Sequence, residues 1–191
     1  MRQPAETTVD VGTVADRVTH GDDRLVARAK RADRDAFAQL IEPRAGRLLR
    51  TARAVLGNET DAYEATQEAL IAAWVQLPAL HDADRFDAWL NRTLVNKCRD
   101  ALRKRRRVRE IDLSTTDVEV EDTTQALVAA AAVAAAFDRL SVDERHILVL
   151  HHLHDLPLAQ IASDLEIPIG TAKSRLWSAR RALERALEAE T

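Results

Sequence analysis

The chain has 191 residues, 46% of them hydrophobic, and a formal net charge of -3 from 28 basic and 31 acidic side chains. That length supports one large domain or two small ones with real cores, and five Gly and five Pro amid abundant Ala, Leu, Arg and Glu favour helices over a sandwich or barrel. A single cysteine excludes a disulfide framework and a multi-cysteine zinc site, and no stretch approaches the ~18 uninterrupted apolar residues of a membrane span.

Residues 1–24 are polar and lack an apolar signal region, so they are expected to form a poorly ordered tail on a cytoplasmic protein. From Asp33, the residues Phe37, Leu40, Ile41, Leu48, Leu49, Ala52, Val55 and Leu56 recur at helical spacing up to Gly57, a C-cap. Pro43 is expected to kink or divide that helix. Asn58 caps a second helix with Thr66, Leu70, Ala73, Trp74 and Leu77 inward, stopped by Pro78. After the loop LPALHDAD, Asp84 is expected to cap a third helix that buries Phe86, Trp89, Leu90, Leu94, Val95, Cys98 and Leu102. Cys98, among these apolar neighbours, reads as a small buried hydrophobe.

The near-neutral total hides a partition of charge. RKRRRVR, from Arg103 to Arg109, has six basic residues in seven, and EIDLSTTDVEVED, from Glu110 to Asp122, has six acidic residues and none basic. That reversal, with no helical period, reads as a solvated linker. It divides the chain into a first domain at 25–107, a linker at 108–123 and a second domain at 124–191.

The second domain opens with eleven Ala, Leu or Val residues, Ala126 to Ala136, which predict a closely packed helix too short to cross a bilayer. Ser141 and Glu144 form a capping box before Ile147, Leu148 and Leu150. In LAQIASDLEIPIGTAKSRLWSARRAL, Leu158, Ile161, Ala162 and Leu165 make one apolar stripe; Ala172, Leu176, Ala179, Leu183 and Leu187 make another, with Pro168 and Gly170 breaking the chain between them. Two short helices about a tight turn make a helix-turn-helix, and the major groove of B-DNA admits its second helix. On that helix Thr171 and Ser174 can bond base edges or phosphates and Arg175 can fork onto a guanine, while Lys173, Arg180 and Arg181 can neutralise phosphate. Gly170 and Thr171 add backbone donors at its start, and Ser178 shares its polar face. By pattern alone, an amphipathic surface helix with solvated charges stays open.

From Asp35 to Leu187 the order of these pieces resembles the extracytoplasmic-function sigma factors, small promoter-recognition subunits of bacterial RNA polymerase. DAYEATQEALIAAW, FDAWLNRTLVNKCRDALRKRR and IASDLEIPIGTAKSRLWSARRAL carry the likeness. The family's usual Leu-Pro before the helix-turn-helix is Leu140-Ser141 here, and a frequent Gly is Asp155. The resemblance implies an all-helical fold of two small domains, with no catalytic residue, cofactor, metal or small-molecule substrate. It implies that Asp61, Glu64, Gln67 and Glu68 dock on core polymerase. It implies that Arg92, Asn96, Lys97, Asp100, Arg103, Lys104 and Arg105 face the minus-ten element. The loop from Leu77 to Arg85 would receive a base flipped from the duplex, and Gly170, Thr171, Lys173, Ser174, Arg175, Ser178 and Arg181 would read the minus-thirty-five element. An anti-sigma protein is the implied regulator.

His146, His151, His152 and His154 crowd one helix end, and with Asp155 could be mistaken for part of a metal phosphohydrolase. Such a site needs ligands converging from several helices, so a polar helix end is the reading preferred here. A stand-alone helix-turn-helix repressor or activator is the alternative function, but it leaves the basic helix of the first domain without a role.

Overall fold

The computed structural model describes residues 22–111 and 125–189, with side chains over 22–107 and 131–189. Helix α1 spans 22–29, so residues 22–24, assigned to the tail by sequence, belong to an ordered element, and Val26 and Ala29 reach the core. Helix α2, Arg34–Leu56, starts where the Asp33 carboxylate accepts from the Ala36 amide at 3.0 Å and ends at Gly57, whose φ of 65° suits glycine.

Pro43 lies inside α2 and does not divide it. A mid-helix proline costs about 3 kcal/mol, whereas burying each large aliphatic side chain contributes about 1.5–3 kcal/mol. Leu40, Ile41, Leu48 and Val55 are all buried on either side of it, so packing outweighs the missing donor. The Arg44 guanidinium also donates to the Leu40 carbonyl at 2.8 Å, within the turn that the proline interrupts.

Helix α3, Glu59–Gln76, is capped by Asn58 and buries Ala62, Ala65, Ala69 and Ala73, a stripe of small side chains that lets α2 and α4 approach closely. Two single 3₁₀ turns, Leu77–Ala79 and Ala83–Arg85, make the loop. There Asp82, not Asp84, is the capping residue: its carboxylate accepts from the Asp84 amide two residues on, as an Asx turn does. Helix α4, Phe86–Ile111, begins only after this turn. It runs through residue 107, so 108–111, assigned to the linker by sequence, continue the helix. The rest of the expected linker, 112–123, lies outside the described residues, as does the expected tail up to residue 21. Leu40, Leu48, Leu56, Leu77, Phe86, Leu90 and Leu94 centre the first core, and burial pushes the Cys98 thiol beside them up to about 12, which leaves it unreactive.

A second cluster is built by α5, Gln125–Asp138; α6, Val142–Leu148; α7, Leu158–Asp164; and α8, Ile169–Glu188, around Ile147, Leu150, Ile161, Leu176 and Ala179. Ser141 and Glu144 form the full capping box, and a π-helical turn, Val149–Leu153, extends α6. Pro168 precedes α8, but Gly170 sits in its first turn and does not break it; the reversal falls earlier, at Glu166 with φ 53°.

The two clusters are packed together, α2 and α4 against α6, α7 and the π turn. Phe137 touches both cores. Arg145 is 2% exposed and donates to the Leu140, Asp138 and Val55 carbonyls at 3.1, 2.5 and 2.7 Å, the last across the seam.

Candidate nucleic-acid interface

The α8 side chains named from sequence divide by face. Helical spacing puts Thr171, Ser174, Ser178 and Arg181 opposite the buried stripe of Ala172, Leu176 and Ala179, with Arg175 on one flank and Lys173 on the other. All are exposed except Thr171, which is half-buried. Ser174 donates to the Thr171 carbonyl at 3.0 Å, a bond its hydroxyl can exchange for an external acceptor by one rotation. Arg181 pairs with Glu184 at 3.3 Å and Arg180 lies 3.4 Å from His152, while Lys173 and Arg175 have no ion-pair partner among the described residues. Gly170 is exposed in the first turn, but the Thr171 amide named beside it as a donor is bonded to the Pro168 carbonyl at 2.9 Å.

The α4 residues do not share one face. Arg92, Asn96 and Arg103 fall on one stripe, and Lys97 and Lys104 are turned from it by roughly 100° toward α3. On the first stripe Arg92 bonds Glu166 of the helix-turn-helix turn at 2.6 Å, and Asn96 accepts from Arg99 at 2.7 Å. Asp100 pairs loosely with Arg103 at 3.7 Å. On the second stripe Lys97 lies 3.5 Å from Glu68, and Arg105 lies 3.7 Å from Asp61 and 3.8 Å from Asp138 while donating to the Leu56 carbonyl. The acidic residues named for polymerase docking therefore meet part of the basic set along one seam. Asp61, Glu64, Glu68, Lys97, Asp100, Lys104 and Arg105 all line a cleft of about 290 Å³, and Gln67 is exposed on α3 outside it.

The loop from Leu77 to Arg85 walls a larger cleft, about 690 Å³, with Pro78, Leu80, His81, Trp89 and Arg92 around it. An apolar and aromatic wall next to guanidinium groups can hold a planar base and its phosphate. Glu166 stands at the rim, with one carboxylate oxygen on Arg92 and the other 3.0 Å from Arg85. The Arg92 bond holds the Glu166 carboxyl below the usual range.

The histidines do not converge, and among the described residues no group of three or more His, Cys, Asp or Glu could hold a metal ion. His151 is directed at the Leu156 carbonyl and His152 at Arg180. The Thr51 hydroxyl lies 3.0 Å from the Arg47 carbonyl that it donates to and 2.8 Å from the His154 Nε2. His146 is buried with Nε2 unpartnered, and burial lowers its pKa to about 4.

Sequence reasoning missed the pairing role of Glu166, the buried Arg145 and several exposed apolar groups. Tyr63, Ile71 and Val75 recur every four or eight positions on the outer face of α3, and Trp177, 64% exposed, lies under Arg181 on α8. The apolar groups were detectable as residues on the wrong face of an amphipathic helix; the long-range pairs had no local signal.

The family described as Sigma-70 region 2 matches residues 40–108, and that described as Sigma-70, region 4 matches residues 130–183. The ECF RNA polymerase sigma factor SigM of Mycobacterium tuberculosis is 32% identical over 171 residues, covering 90% of this chain and 87% of the relative. SigW of Bacillus subtilis, also an ECF RNA polymerase sigma factor, is 27% identical over 178 residues, covering 86% of this chain and 95% of the relative. The solved structure of CnrH in complex with the cytosolic domain of CnrY superposes with a TM-score of 0.64 at 28% identity, covering 90% of this chain and 99% of that one. With both sigma-70 regions matched in order on an all-helical fold, the chain belongs to the ECF RNA polymerase sigma factors.

Proposed function

We propose that this sigma factor binds core RNA polymerase in the cytoplasm and directs it to promoters, acting as a binding subunit and not as an enzyme. The observation that supports the division of labour best is the pair of cationic helices on separate clusters, α4 beside the 690 Å³ cleft and α8 with Lys173 and Arg175 exposed. In this reading the first domain, 25–107, uses Arg92, Asn96 and Arg103 on the minus-ten strand while the cleft takes an unpaired base. Capturing that base offsets an unstacking cost of a few kcal/mol, which allows melting without ATP hydrolysis. The second domain, 124–191, reads the minus-thirty-five element in the major groove through Lys173, Ser174, Arg175, Ser178 and Arg181. Asp61, Glu64, Gln67 and Glu68, with Ile71 and Val75 beside them, offer polymerase a face with an apolar centre and an acidic rim, a composition that suits a specific protein interface.

Regulation by a protein partner is part of the reading: CnrH, of the same family, has been captured with the cytosolic domain of CnrY. In vitro transcription with purified core polymerase tests the function. Promoter-specific transcripts requiring both chain and core are expected; tight operator binding by the chain alone, without initiation, would favour a stand-alone regulator.

A further inference from the structure

The contact between Glu166 and the first domain has the features of a competitor for DNA. Both of its carboxylate oxygens are engaged, Oε2 by Arg92 at 2.6 Å and Oε1 by Arg85 at 3.0 Å, and both arginines wall the 690 Å³ cleft beside Trp89 and His81. Two guanidinium groups clamping one carboxylate is an arrangement that serves equally for a phosphodiester. The backbone at Glu166 is left-handed, φ 53°, a conformation that disfavours any side chain with a β-carbon and suits Gly or Asn. A glutamate there gives up local stability but sets an anion on the cleft.

Three further contacts make the closed arrangement a specific one. Asp143 of α6 pairs with Arg99, about two turns from Arg92 on the same stripe of α4, at 2.7 Å. Arg145 and His154 cross the seam with directional bonds to the Val55 carbonyl and the Thr51 hydroxyl. Acidic side chains of the chain's own second domain thus engage Arg92 of the stripe assigned to the minus-ten strand and Arg99 beside it, while Asn96 and Arg103 stay exposed.

We propose that Glu166, with Asp143 as a second anchor, acts as an internal phosphate mimic, so that single-stranded minus-ten DNA and the helix-turn-helix turn compete for Arg85 and Arg92. The inference rests on the reading of α4 and its cleft as the minus-ten surface. If the closed form is favoured about ten-fold, the apparent affinity of the isolated chain for such a strand falls by the same factor, because only the open fraction binds.

The test uses the full chain and a fluorescent single-stranded oligonucleotide carrying its minus-ten element, with Glu166→Gln, Asp143→Asn and the double variant. Glutamine preserves the shape and the backbone preference but removes the charge. Expected is about ten-fold tighter binding for Glu166→Gln without polymerase, a further gain in the double variant, and no more than two-fold change in open-complex formation once polymerase is bound. Equal or weaker binding by Glu166→Gln would overturn the mimic, provided that Arg92→Ala still impairs promoter opening in the holoenzyme. If Arg92→Ala leaves opening intact, the minus-ten reading itself fails and the mimic with it.

Discussion

Helices α4 and α8 both carry cations along a face that a polyanion could meet, yet they hold them differently. On α8, Lys173 and Arg175 project into solvent with no ion pair among the described residues, so their surface is presented without rearrangement. On α4, Arg92, Lys97, Arg99 and Arg105 are each paired with a carboxylate, and three of those carboxylates, Glu166, Asp143 and Asp138, come from the second cluster. The same residue types therefore make one surface that is ready and one that must first be uncovered, and the difference comes from acidic partners far away in sequence.

The seam between the two clusters should be the most sensitive point. Arg145→Met removes a guanidinium that satisfies three carbonyls while keeping most of the packing volume, and should cost about 2–3 kcal/mol in chemical denaturation. A loss below about 0.5 kcal/mol would show that these bonds do not secure the contact between the clusters.

Acid should weaken the same region. His146 titrates near 4 when folded and near 6.5 when unfolded, because burial, the largest effect, and the nearby Arg99 and His154 oppose its protonation more than Asp143 favours it. The unfolded chain then binds the proton first as pH falls, so stability is full above about 7 and declines through the window from 6.5 to 4. By pH 5 this one group should lower stability by about 2 kcal/mol. Denaturation at pH 7.5 and pH 5 checks it, and His146→Leu should abolish that share of the loss, since its Nε2 has no partner to lose.

On the open surface, Arg175→Ala should reduce holoenzyme binding to a promoter by about 1–2 kcal/mol and relax preference at one base pair, read by competition among single-base variants of the minus-thirty-five element. Uniform weakening across all variants would instead mark Arg175 as a phosphate contact. The smallest effect belongs to the α3–α4 seam: Glu68 is 61% exposed opposite Lys97, so Glu68→Ala should change stability by no more than about 0.5 kcal/mol while slowing association with core polymerase.

What sequence made legible was local. The Gly57 C-cap, the Asn58 cap and the Ser141–Glu144 box each depend on residues within four positions of each other, and all three are found. Pro43 departs from the expectation because the core on both sides of it outweighs local propensity, and Asp84 because a 3₁₀ turn moves the cap two residues back. Helix α1 had little signal because eight residues are too few to establish a helical period. For the candidate site, residue types and helices were legible, but the split of α4 into two stripes and the pairing of Arg92 with Glu166 were not. That pair spans 74 positions, and nothing in the local pattern of either residue refers to the other.

On the proposal above, the α4 surface is covered by the chain itself and uncovered on polymerase. The most direct measurement is the distance between spin labels at cysteines replacing Glu42 on α2 and Glu188 at the end of α8, since buried Cys98 will not take a label. One narrow distance population is expected for the isolated chain, shifting to a longer distance when core polymerase is added. A broad distribution in the isolated chain, or an unchanged distance in the holoenzyme, would overturn the closed-to-open change.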